Sequence, residues 1–286
     1  MPVAIVTSTG MIREMVEAVG GPHVRVMAMM GPGVDPHLYN PSRDVTALLH
    51  ADLVFYNALR LEPGLVRMQD EDWAERIIFR SVASVASADL RCPATGDIDP
   101  HVWLDAALWT RSIDGVEWYL GRIRPPFADP RYAMEFQANA ARYRTRLLAL
   151  DAYLRAQAAR VPRERRVLVT AHHAFGYFGR AYGFEVRALQ GAATTLLAST
   201  DDEVEALAQY VIERRVPAIF TETSVGTGGL ERVQTAVRAR GGEVRIAGPL
   251  YSDAMGAPGT PQGTYEGMMR HNVDTIVAAL GPDPIS

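Results

Sequence analysis

Arg131-Tyr-Ala-Met-Glu-Phe-Gln-Ala-Asn-Ala-Ala-Arg-Tyr-Arg-Thr-Arg-Leu-Leu-Ala-Leu-Asp-Ala-Tyr-Leu-Arg-Ala-Gln-Ala-Ala-Arg-Val161 holds neither glycine nor proline, and Pro130 and Pro162 bracket it. Asp129-Pro130 reads as an N-cap followed by proline at the first helical position. Apolar residues recur near helical spacing at Met134, Ala138, Ala141, Leu147, Leu148, Leu150, Leu154 and Ala158. At 1.5 Å per residue the helix is roughly 45 Å long. One small domain does not need such a helix. A helix that runs down the side of two domains and joins them accounts for it; a coiled-coil arm is the rival, and the heptad is poor.

On both sides of this helix, strand and helix patterns alternate. Before it, Val3–Thr7, Val24–Met30 and Leu53–Asn57 are strand-like, and Gly10–Val19, Asp44–His50 and Asp105–Leu120 are helical. After it, strands are expected at Val167–Thr170, Val186–Leu189, Ala218–Thr221 and Val244–Ala247. Helices are expected at Phe175–Tyr182, from the capping box Thr200-Asp-Asp-Glu203 to about Arg214, at Leu230–Arg240 and at Thr264–Leu280. The expectation is an α/β protein of two lobes with mostly parallel sheets. The lobes are residues 1–128 and 163–286, joined by one long linker helix over 129–162.

At 286 residues the chain is long enough for two cores. The net charge of -4 and the scattered arginines argue against nucleic acid as a partner. A single cysteine, Cys92, excludes an internal disulfide and any multi-cysteine metal site. No apolar run approaches the ~20 residues of a membrane helix. Met1-Pro2 leads straight into a strand with no signal-peptide pattern, so the expectation is a cytosolic chain or a mature form with a start methionine.

Two Asp-Pro-His corners, Asp35-Pro36-His37 and Asp99-Pro100-His101, stand 64 residues apart. Proline fixes its own φ and biases its predecessor toward extended backbone, so each histidine leaves a stiff corner. His172 and His173 follow a strand, as do Glu222 and, more distantly, Asp253. Ligands of open α/β sheets bind at the carboxyl ends of strands. Two adjacent side chains at such a turn point apart, so one of His172 and His173 is expected to be structural. His23 and His50 read as loop and helix-surface residues, and His271 as packing or surface. His37, His101, His172 and Asp253 make a four-ligand set suited to Zn(II), and to Mn(II) where carboxylates are more numerous. A closed shell of four leaves no position for a reacting water, which favours holding a metal over using it. Spacing alone leaves metal site and coincidence both standing.

Longer stretches carry a resemblance. They are Gly31-Pro-Gly-Val-Asp-Pro-His-Leu-Tyr39, Ala51-Asp-Leu-Val-Phe-Tyr-Asn57, Asp99-Pro-His-Val-Trp-Leu-Asp105 and Thr170-Ala-His-His-Ala-Phe-Gly-Tyr-Phe178. Leu189-Gln-Gly191, Ala218-Ile-Phe-Thr-Glu222, Leu250-Tyr-Ser-Asp-Ala-Met-Gly256 and Gly263-Thr-Tyr-Glu-Gly-Met-Met269 continue it. Over nearly its whole length the chain resembles the metal-specific solute-binding proteins of ABC importers, the TroA-like group. The resemblance implies one divalent metal ion in the interlobe cleft, held by His37, His101, His172 and Asp253 as transported ligand. It implies a monomer that captures the ion outside the cytoplasmic membrane, in the periplasm or its equivalent. Delivery would be to a membrane permease with its cytoplasmic ATPase; no lipid anchor is visible. His173 stands where the family usually has Asp. Many manganese-specific members have Glu at the third ligand, so His172 leans toward zinc or a site accepting both metals. Residues 86–97 lack the His-rich loop of the zinc branch. A zinc-dependent hydrolase and a surface adhesin are the alternatives.

Overall fold

A computed structural model describes residues 2–69, 79–81, 86–92, 98–122, 130–191 and 199–282. The chain divides into two compact units, Met1–Asp151 and Ala152–Ser286. In the first, strands β1 (Val3–Thr7), β2 (Val24–Ala28), β3 (Leu53–Tyr56) and β4 (Phe79–Ser81) form a parallel sheet of order β2-β1-β3-β4. Helices α1 (Gly10–Gly20), α2 (Val45–Leu49), α3 (Pro63–Gln69) and α4 (Ala106–Leu120) belong to it. Helix α1 buries Met11, Ile12, Met15, Val16 and Val19, the apolar stripe expected of its spacing.

In the second unit, β5 (Val167–His172), β6 (Glu185–Gln190), β7 (Ala218–Glu222) and β8 (Arg245–Leu250) repeat the pattern, parallel in the order β6-β5-β7-β8. Its helices are α6 (Gly176–Tyr182), α7 (Asp201–Glu213), α8 (Gly228–Ala239) and α9 (Tyr265–Leu280). Strand β5 is buried throughout, and its odd residues Val167, Val169 and Ala171 join the core made with Leu207, Val211, Val233 and Val237. Alternation therefore puts His172 on the other parity, with Leu168 and Thr170. The capping box is present: Thr200 Oγ1 accepts from Glu203 N–H at 3.2 Å and the Glu203 carboxylate accepts from Thr200 N–H at 2.8 Å.

The long helix α5 (Pro130–Ala158) contains the division between the units. Asp129 lies outside the described residues. The buried stripe of α5 is Phe136, Ala140, Tyr143, Leu147, Leu150, Leu154 and Ala158, spaced by three and four. The expected stripe mixed two faces: Met134 is 71% and Leu148 48% exposed, and Ala138 and Ala141 are exposed too. Polar pins hold each part of α5 to its own unit. Asn139 donates to the Val19 carbonyl at 2.9 Å, and Arg144 donates to the Thr110 carbonyl at 2.9 Å. Further along, Tyr153 donates to Asp274 at 2.8 Å, and Arg155 donates to the Ala181 carbonyl at 2.6 Å.

Two elements were not expected, β4 and α3. Pro63 opens α3, where its missing N–H costs nothing. Gly64 is required by packing: a Cβ there would meet the Tyr39 carbonyl oxygen at 2.6 Å, so α3 rests on the segment that follows His37. Strand β8 runs past Ala247 through Gly248-Pro249, which its edge position allows. Strand β5 ends at His172, two residues beyond expectation, which makes that histidine part of the sheet. Among the described residues, no helix is long and apolar enough to cross a membrane.

Candidate metal centre

In the first unit the repeated Asp-Pro-His is an aspartate-capped turn. His37 N–H donates to Asp35 Oδ1 at 2.8 Å, and His101 N–H donates to Asp99 Oδ1 at 3.1 Å. The proline between sets the φ that brings the carboxylate over the amide two residues on. His101 precedes a short 3-10 turn, Val102–Leu104, and Asp105 then caps α4 by accepting from Leu108 N–H at 3.0 Å. Asp99 does a second job: its Oδ1 lies 2.8 Å from His101 Nδ1, and Arg91 Nε lies 3.5 Å from its other oxygen. That contact assigns the His101 proton to Nδ1 and leaves the Nε2 lone pair for a ligand. His37 Nε2 lies 3.4 Å from His101 Nε2, and both rings are buried.

The corner carrying His101 is braced from β3. Asn57 Nδ2 donates to the Pro100 carbonyl at 3.1 Å. Beyond Asn57 the backbone turns left-handed at three successive residues, Ala58, Leu59 and Arg60, with φ of 65°, 54° and 66°. The buried Glu62 carboxylate closes that turn by accepting from Asn57 N–H at 2.8 Å and Ala58 N–H at 3.1 Å. Burial pushes the Glu62 carboxyl up to about 7, against the lowering effect of those hydrogen bonds.

In the second unit, His172 ends β5 and Glu222 ends β7, the neighbouring strand. Glu222 Oε1 accepts from His172 N–H at 3.0 Å, and its Oε2 lies 2.7 Å from His172 Nδ1. His172 Nε2 lies 3.4 Å from Asp253 Oδ2, and all three side chains are buried. Burial pushes the His172 imidazole down, but Glu222 and then Asp253 outweigh it and hold it well above its usual range. Asn272 of α9 grips the backbone two residues before Asp253: it accepts from Tyr251 N–H at 2.8 Å and donates to the Tyr251 carbonyl at 2.7 Å. His173 stands on the turn after β5 and is half-buried.

Each unit thus presents one pair of candidate ligand atoms, and the two atoms of each pair are 3.4 Å apart. Two donors about 2.05 Å from one ion stand ~3.3–3.4 Å apart at the tetrahedral angle, and ~2.9 Å apart at a right angle. Both pairs have the tetrahedral spacing. An imidazole backed by a carboxylate on its far nitrogen occurs in both, through Asp99 and through Glu222.

The family described as ZnuA, zinc-uptake complex component A, periplasmic, matches residues 5–279. The chain belongs to the zinc-uptake complex component A family. Within it, the chain is 44% identical over 277 residues to the zinc-binding protein TroA of Treponema pallidum (strain Nichols), covering 96% of this chain and 88% of that protein. It is 40% identical over 281 residues to the manganese-binding lipoprotein MntA of Bacillus subtilis (strain 168), covering 96% and 89%. The solved structure of the periplasmic zinc binding protein TroA from Treponema pallidum superposes with a TM-score of 0.92 at 41% identity, covering 99% of this chain and 100% of that one. The shared architecture is two parallel-sheet α/β lobes with one long helix between them.

Of the expected residues, His37 pairs with His101 and His172 pairs with Asp253. His23 instead lies 2.9 Å from Glu135 and packs on Tyr132 and Phe136 of α5. His50 is exposed at the end of α2, and His271 lies 3.0 Å from the Pro249 carbonyl oxygen. Asp99, Asn57, Glu62 and Asn272 were not singled out for these roles. Only Asp99 carried a signal, its repetition in the two corners.

Proposed function

We propose that the chain captures one divalent transition metal outside the cytoplasm, Zn(II) in preference to Mn(II), and hands it to an ABC permease with its ATPase. His37 and His101 come from the lobe at 1–128, and His172 and Asp253 from the lobe at 163–286. The helix over 129–162 joins the lobes, and the four side chains close on one ion in the cleft. The observation that carries this is the spacing: each unit offers two ligand atoms 3.4 Å apart, the edge of a tetrahedron around zinc. Family membership and the two relatives named for zinc and manganese support the same ion class. Four protein donors leave no open position for a reacting water, so the reading is capture by a monomer rather than hydrolysis. Elemental analysis of protein isolated without added metal tests it. One zinc per chain, removable by chelator and inert toward ester and peptide substrates, is the expected result. Metal-dependent hydrolysis, or no bound metal and no uptake on titration, contradicts it.

A further inference from the structure

Strand β8 stands at the edge of its sheet, and its bonding on the β7 side ends where the Leu250 carbonyl accepts from Thr223 N–H at 3.0 Å. Successive residues of a strand turn their N–H and C=O to opposite sides, so those of Tyr251 face away from β7. Helix α9 supplies a partner there. The wholly buried carboxamide of Asn272 accepts from Tyr251 N–H at 2.8 Å and donates to the Tyr251 carbonyl at 2.7 Å, as a facing residue of an antiparallel strand would. Beside it His271 Nε2 lies 3.0 Å from the Pro249 carbonyl oxygen, and Arg245 donates to the Ala279 carbonyl at 2.6 Å, so α9 is pinned along β8. We infer that Asn272 is a positioning residue of the metal centre: it holds the stem of Asp253 in its ligand position before any ion arrives, and zinc affinity depends on it. The inference rests on the four-ligand reading above.

His172 is part of β5 and is held by the sheet, whereas Asp253 lies three residues past the last bond on the β7 side of β8. Asp253 follows Tyr251 by two residues, and two residues of chain reach at most ~7 Å. A stem released at Tyr251 lets the carboxylate range over ångströms, whereas a metal site sets its ligand distances to within about 0.2 Å. The ion then has to order the segment as it binds, which lowers its affinity. Ser224 and Ser252 touch the carboxylate itself; Asn272 acts one level back, on the backbone that carries it. Asparagine suits this task because its carboxamide presents a donor and an acceptor side by side, as a peptide group does. Aspartate lacks the donor, and glutamine is one methylene too long for partners already at 2.7 and 2.8 Å.

Metal-free wild type, Asn272→Ala, Asn272→Asp and Ile276→Ala are titrated with Zn(II) against a chromophoric chelator, with a melting curve of each. Ile276 is a buried α9 residue one turn on, with no polar side-chain group, and controls for a loosened helix. Asn272→Asp keeps the shape and the acceptor and loses the donor. The expected result is affinity at least ~10-fold lower in both Asn272 variants, still at one zinc per chain, and wild-type affinity in Ile276→Ala despite its lower melting temperature. Asn272 variants that bind as tightly as wild type overturn the inference. So does an equal loss in Ile276→Ala, which would make affinity follow stability. Hydrogen exchange on wild type needs no variant and decides the case if the Asn272 variants fail to fold. The Tyr251 amide is expected to be protected in the metal-free protein as it is with zinc; an amide protected only with zinc overturns the inference. Wild type that binds no zinc, or Asp253→Ala that binds as tightly as wild type, removes the four-ligand reading instead.

Discussion

His172 sits between two carboxylates, 2.7 Å from Glu222 on one ring nitrogen and 3.4 Å from Asp253 on the other. A metal at Nε2 competes with a proton, and those carboxylates hold the proton more tightly than usual. The raised value means the charged ring stabilises the metal-free fold fully below the ordinary histidine range, and that contribution is lost as pH rises through the raised value. Metal affinity runs the other way. Zinc titrations across pH 5.5–8 are expected to show affinity falling with pH from an onset above 6.5. Glu222→Gln removes one of the two carboxylates that raise His172 and is expected to move that onset to lower pH; an identical profile contradicts the assignment. His172→Ala is expected to abolish tight zinc binding, whereas His173→Ala loses at most about 10–100-fold, because His173 stands on the turn and not in the strand. The reverse ranking would shift the ligand register by one residue. At this scale the repeated Asp-Pro-His corners drew attention to His37 and His101, whereas His172 and Asp253 entered the candidate set through their places after strands and through the family resemblance. Asn57 and Asn272 were not legible, because asparagine is an ordinary polar residue until a structure shows what it grips.

Among the described residues, the turn after β3 holds three of the four non-glycine positions with positive φ. Left-handed backbone costs roughly 1–2 kcal/mol for each non-glycine residue, and Ala58, Leu59 and Arg60 all adopt it. The Glu62 carboxylate and the Asn57 bond to Pro100 hold it in place, next to His101. Ala58→Gly, which relieves the steric part, is expected to raise thermal stability by about 1 kcal/mol, with zinc affinity unchanged. A loss of stability there contradicts strain at this turn. Glu62 gives the turn a pH dependence. Its folded value of about 7 lies above the unfolded 4.5, so the fold binds the proton more tightly, and stability falls as pH rises from about 4.5 through about 7. The total is on the order of 3 kcal/mol. Melting of metal-free wild type and Glu62→Gln over that range is expected to show a shallower slope in the variant, whatever its absolute stability. No expectation covered this turn, because three successive non-glycine residues with left-handed φ carry no sequence signal. The long helix was legible from its missing glycine and proline, but its buried face was not: apolar residues lie on two faces, and only packing chooses between Met134-Ala138-Ala141 and Phe136-Ala140-Tyr143.

For the whole molecule, alternating strand and helix patterns on both sides of one helix announced two α/β lobes, and both sheets take the same parallel order. Metal binding is expected to add its free energy to folding: at nanomolar affinity, ~100 μM free zinc adds roughly 7 kcal/mol. The melting temperature then rises with zinc and returns with chelator; a melting curve indifferent to zinc contradicts tight capture. In the proposed function, two half-sites, one per lobe, make a single four-ligand site. Its most direct test is calorimetric zinc titration of metal-free wild type beside His101→Ala and Asp253→Ala, one ligand removed from each lobe. One zinc per wild-type chain, and loss of tight binding in both variants alike, is the expected result. Two independent sites per chain, each surviving loss of the ligand in the other lobe, would contradict it.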